Sequence, residues 1–142
     1  MRIGRVLASG VFGTVLALGV ATAPASAADG VQRAVPTSGN PPSESCAVSD
    51  WDGTGCFVGS GEVFWLRDEY DDHIPIAIKW HHRTSTGAIR RGVIYNDYGP
   101  SAGWTTVNKS FEEDLFVEYE LCDFDTSTRQ TYNCVGTGWG PT

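Results

Sequence analysis

From Cys46 onward, apolar residues recur at every second position. Ile74, Ile76, Ile78 and Trp80 are separated by Pro75, Ala77 and Lys79; Leu115, Val117, Tyr119 and Leu121 are separated by Phe116, Glu118 and Glu120. A period of two sends successive side chains to opposite faces, so each run predicts a strand with one face on a core. Trp80 shares its parity with three isoleucines and is assigned to that core. Further strands are expected at Gly55–Val58, Glu62–Arg67, Ala88–Asn96, Gly103–Val107 and Arg129–Val135. Gly59-Ser60-Gly61, Ser85-Thr86-Gly87, Gly99-Pro100-Ser101 and Asp125-Thr126-Ser127 supply turn chemistry between them. This spacing predicts an all-β domain over residues 46–142, a small antiparallel β-sandwich or barrel-like fold. Pro75 lacks a backbone donor, which puts its strand at an edge or Pro75 itself near the first pairing position. The best helix candidate, Asn108–Leu115, has Ser110 three residues before Glu113, the spacing of a capping box, and predicts a single turn at most.

The first 27 residues have a different texture. Arg2 and Arg5 precede an apolar run from Val6 to about Ala23, and Ala25-Ser26-Ala27 closes it. A positive start, an apolar middle and an Ala-x-Ala exit predict a signal peptide cleaved after Ala27, hence a secreted protein. Later in the chain, no segment approaches the ~20 apolar residues of a membrane span. Residues 28–45 hold three prolines, two glycines, four serines or threonines and two valines. That composition predicts a flexible leader.

Charge and cysteines narrow the picture. Loss of Arg2 and Arg5 takes the formal net charge of the chain from −7 to −9 and leaves 115 of 142 residues. That length suits one domain, expected to be monomeric. So acidic a chain repels phosphate backbones, and Arg90-Arg91 is its one basic cluster, so no nucleic-acid partner is expected. Cys46, Cys56, Cys122 and Cys134 all fall in the mature part. An even count in a short exported chain reads as disulfides. Of three possible pairings, Cys46–Cys56 with Cys122–Cys134 is preferred, since each pair brackets a short turn-like segment. Closing such a loop stabilises by ~3 kcal/mol in the chain-entropy account. The C-x9-C and C-x11-C spacings lack the short knuckles of zinc sites.

One family resemblance emerges. Asp68, Glu69 and Asp72 form an acidic turn before an alternating strand that ends in Trp80. A glycine-rich segment follows, then Phe111, Glu113, Val117, Tyr119 and Cys122, and then Cys134 in a short tail. Over residues 63–139 this arrangement resembles small exported proteins common in filamentous actinobacteria. Such proteins often carry a cysteine before the acidic turn and another centrally; this chain has Arg67 and no central cysteine. The resemblance implies export and a small β fold, and nothing about mechanism.

Several constellations could carry chemistry. Asp68, Glu69, Asp71 and Asp72 precede His73 and offer oxygens to calcium, which takes 6–8 of them. The regular calcium-loop pattern and its glycine are missing, so the expected reading is a solvated turn between strands. Asp123 and Asp125, beside Cys122, form a second acidic run that could converge on it. Acids crowded on a turn make poor glycosidase pairs, which need one buried carboxyl with a raised pKa. Gly99-Pro100-Ser101-Ala102-Gly103 matches G-x-S-x-G literally. However, His73, His81 and His82 all precede Ser101, and no helix is expected after it, so a loop is expected. His81 and His82 should point to opposite faces of a strand and share no ion.

Trp51, Trp104 and Trp139 lie in loop-like or terminal segments where an indole can stack on a sugar or anchor a partner. The expected function is therefore a non-catalytic binding module for a carbohydrate or cell-envelope ligand, with these three tryptophans in contact. The alternatives are an inhibitor or effector of another exported protein, acting through a loop such as Asp97–Gly103, and, remotely, a small hydrolase. No cofactor is expected, calcium at the acidic turn being the one candidate.

Overall fold

The computed structural model describes residues 29–142; the expected signal peptide lies outside the described residues. Ten strands form two sheets. They are β1 (Gly30–Arg33), β2 (Val35–Pro36), β3 (Val48–Ser49), β4 (Gly53–Val58), β5 (Val63–Asp68), β6 (Ile76–Arg83), β7 (Ile89–Asn96), β8 (Trp104–Asn108), β9 (Phe116–Asp125) and β10 (Gln130–Pro141). One sheet runs β1-β7-β6-β9-β10 and the other β2-β8-β5-β4-β3. All pairings are antiparallel except β1 with β7. Neither sheet closes into a barrel. No helix among the described residues is long and apolar enough to cross a membrane.

The two inner faces share one core. Ile76, Ile78, Trp80, Ile94, Val117, Tyr119 and Leu121 from the first sheet meet Phe57, Phe64 and Leu66 from the second. Phe64 sits between them, 6.2 Å from the Trp80 ring and 5.8 Å from the Tyr119 ring. The alternating runs of the sequence are the source of this face: Ile76, Ile78 and Trp80 are buried, as are Val117, Tyr119 and Leu121. Ile74 falls before β6 and is partly exposed. Pro75 likewise precedes β6, which is central rather than at an edge; its carbonyl accepts the Phe124 N–H at 2.7 Å. The missing donor is therefore placed just before pairing begins.

Both disulfides have the expected pairing, Cys46–Cys56 and Cys122–Cys134. Each stays within one half of the sandwich. The first ties the chain before β3 to β4, and the second ties β9 to β10.

One expectation needs correction. The leader is not flexible throughout. Gly30–Arg33 lies in register with Gly92–Tyr95, and Val35–Pro36 pairs with Thr105 and Thr106 of the other sheet. Ala34, at the crossing, is fully buried. The segment is held by backbone hydrogen bonds and by polar anchors, Arg33 to Asp97 at 2.6 Å and Asp29 to Arg90 at 2.8 Å, so apolar composition does not reveal it. The segment 108–115 forms no helix and only a short turn at 113–114, in line with the single turn at most expected there. Within it, the Phe111 N–H is satisfied by Glu62 Oε2 at 2.9 Å.

Candidate functional site

The acidic turn follows β5, and its four carboxylates diverge. Asp68 is buried, and its Oδ1 accepts the Tyr70 N–H at 3.1 Å. Burial, reinforced by Asp72, Asp52 and Asp71, pushes its carboxyl up to about 6. Glu69 accepts the Thr54 hydroxyl at 3.2 Å and lies 4.0 Å from Arg67. Asp71 lies 3.8 Å from His73, both on the exposed tip. Asp72 accepts the Ile74 N–H at 2.8 Å. No three of these acids bring oxygens together. The one trio of metal-type ligands that meets among the described residues is Glu120 with Cys122 and Cys134. Its sulfurs are bonded to each other, which removes them as thiolate ligands.

Asp72 belongs to a different grouping. Together with Asp50, Asp52 and Asp123 it lines a cleft of about 400 Å³ at one end of the sandwich, with Trp51, Ile74 and Val135. Asp50 accepts the Trp51 N–H. Asp123 accepts the Asn133 amide at 2.8 Å. The Asp52 carboxyl is raised by burial and by the charges of Asp123, Asp50 and Asp72, and its Oδ1 is buried without a hydrogen bond among the described residues. Asp125, the other acid of that hairpin, does not join them. Its Oδ1 accepts the Ser127 hydroxyl at 2.6 Å and the Ser127 and Thr128 N–H groups, which holds it down at about 2.

The three tryptophans do not form one platform. Trp51, in the β3–β4 turn, is 68% exposed and stands edge-on to Tyr70 with ring centroids 5.3 Å apart. Trp104 begins β8 on the outer face of the second sheet. It is half-buried against Trp65 at 6.3 Å, with the Arg67 guanidinium 5.9 Å from its ring. Trp139 projects from β10 on the outer face of the first sheet, paired with Glu118 across the strands, and is 61% exposed. Tyr70, which braces Trp51, escaped notice because an aromatic inside an acidic turn carries no periodic signal.

A wider groove of about 510 Å³ crosses the outer face of the first sheet. Among its polar side chains, Lys79 lies 3.5 Å from Glu120 and His81 3.2 Å from Glu118, and Arg91 also lines it. His82, one residue on, points inward, is fully buried, and its Nδ1 bonds the Phe116 carbonyl at 3.0 Å. The two histidines therefore take opposite faces. Ser101 lies in a single 3-10 turn between Gly99 and Gly103, both at positive φ, with no helix after it. The loop around it is anchored, since Arg33 binds Asp97 and lies 4.0 Å from the Tyr98 ring. The chain matches no family model, and comparison with curated proteins and with solved structures returns no match.

Proposed function

We propose that the protein is an exported, non-catalytic binding module whose ligand is a carbohydrate seated in the Trp51 cleft. The observation that carries this reading is the pairing of an exposed indole, braced by Tyr70, with four aspartates around one cleft. An indole face stacks on the apolar face of a sugar ring, and carboxylates accept the hydroxyls at its rim. Four negative charges in one cleft repel anionic polymers and favour neutral or amine-bearing glycans. Trp104 and Trp139 open onto other surfaces and form no part of this seat. The signal-peptide pattern, the two disulfides and the resemblance to small exported actinobacterial proteins all agree with an oxidising, extracellular setting.

Tryptophan fluorescence of the secreted protein, titrated with neutral, amine-bearing and anionic glycans, tests the reading. A saturable change with a neutral or amine-bearing glycan, lost in Trp51→Ala, is expected. Silence across the whole panel overturns carbohydrate binding.

A further inference from the structure

The opposite end of the core holds a second polar cluster, and its centre is a lysine. Lys109 follows the last residue of β8 and is 3% exposed. Its Nζ lies 4.8 Å from the Trp80 ring centroid and contacts Oε1 of Gln32 on β1. Around it are Asp29, held by both Nε and Nη2 of Arg90 at 3.1 and 2.8 Å, buried His82, and Phe111, whose ring lies 5.2 Å from that of Trp80. Glu62 closes the cluster. Its carbonyl accepts the Lys109 N–H, and its Oε1 is buried without a hydrogen bond among the described residues.

Lysine is almost never buried this completely, and here its amine rests on the Gln32 carboxamide beside the Trp80 ring. We propose that Lys109 and Gln32 join in an intramolecular isopeptide bond. Nζ attacks Cδ of Gln32, a C–N bond forms, and the C–NH₂ bond breaks. The displaced nitrogen takes a proton from Nζ and leaves as ammonia, so no oxidant or cofactor is consumed. The attack needs an uncharged amine. Burial pushes Lys109 down to about 8, which leaves roughly one molecule in ten neutral at pH 7.

The bond would supply a tie that the disulfides lack. Each disulfide acts within one half of the sandwich. Gln32 lies in one sheet and Lys109 directly follows β8 of the other, and β1 is a four-residue edge strand. A covalent link there would fix the first strand and clamp the two sheets together.

Intact mass spectrometry of the purified, oxidised secreted protein tests the proposal. The expected mass is one ammonia below that of the chain with two disulfides. Reduction and trypsin should then release a branched peptide joining the Gln32 segment, ending at Arg33, to residues 92–129, uncut after Lys109. Lys109→Met and Gln32→Met should each restore the unmodified mass. The wild-type result decides even if both variants misfold. An unmodified wild-type mass, or ammonia loss without the branched peptide, overturns the bond.

Discussion

Trp80 and Gly92 face each other across β6 and β7, and the indole fills the space that a side chain at position 92 would need. A Cβ built on Gly92 would lie 2.7 Å from the Trp80 ring and 2.7 Å from the Gly30 carbonyl. The glycine thus admits both the largest core side chain and the parallel strand β1. Gly92→Ala is expected to destabilise the fold by about 1–3 kcal/mol through overpacking. A lowered urea midpoint with an unchanged m-value would show it. An unchanged midpoint would mean that the indole has room to move.

Asp68 gives the stability a pH dependence opposite to that of an ordinary salt-bridged acid. Its folded pKa is raised to about 6 from 3.8, so between those values the folded state holds more protons than the unfolded chain. Stability from this group is therefore present below pH 3.8 and lost as pH rises through about 6. Asp68→Asn keeps the Oδ1 that caps Tyr70 and removes the charge. It should add about 1–3 kcal/mol at about pH 7.5 and almost nothing at about pH 3.5. Urea melts at the two pH values measure the difference. An equal effect at both would mean that Asp68 is not held in a desolvated site.

The two disulfides differ in reach. Cys56 is fully buried and Cys46 is half-covered, whereas Cys122 is buried but Cys134 is exposed. Thiol exchange requires access to a sulfur, so mild reductant should open Cys122–Cys134 first. Loss of the 11-residue Cys46–Cys56 loop should cost ~3 kcal/mol in the chain-entropy account, and more where the buried Cys56 leaves a cavity. Timed reduction, alkylation and peptide mapping check the order. Simultaneous opening would mean that the whole sandwich unfolds before either bond is reached.

The strands that alternate cleanly were legible. β6 and β9 could be read from their apolar parity because one of their faces is core. The last strand was cut short at Val135, although it runs to Pro141. Gly138 and Gly140 occupy its inward positions, lying on the rings of Tyr119 and Phe57. An inward glycine replaces the apolar signal with empty space, so the pattern vanishes where the packing is closest. β1 and β2 were hidden for another reason, since backbone bonds and charged anchors hold them. At the site, the acids of the turn were expected to be solvated, and Asp68 departs from that: it is buried with its carboxyl raised, which no local pattern announces. The meeting of Asp72 with Asp50, Asp52 and Asp123 needed the fold, because it joins three separate turns or strands. The burial of Lys109 is equally tertiary: nothing in its neighbours along the chain marks it as a core residue.

The acidic turn itself is expected to be indifferent to calcium. Asp68 and Asp72 already accept backbone N–H groups, Glu69 accepts a hydroxyl, and Asp71 stands alone with His73 on the exposed tip. Gathering their oxygens around one ion would break those bonds and bring like charges together. A ligand that binds the folded state alone raises stability by RT ln(1 + [L]/Kd). Thermal melts in EDTA and in millimolar calcium should therefore superimpose. An upward shift that Asp71→Asn together with Asp72→Asn abolishes would show that the turn rearranges into a calcium loop. A shift that survives that pair but disappears in Asp52→Asn would place the ion deeper in the Trp51 cleft, where it would compete with the proposed sugar.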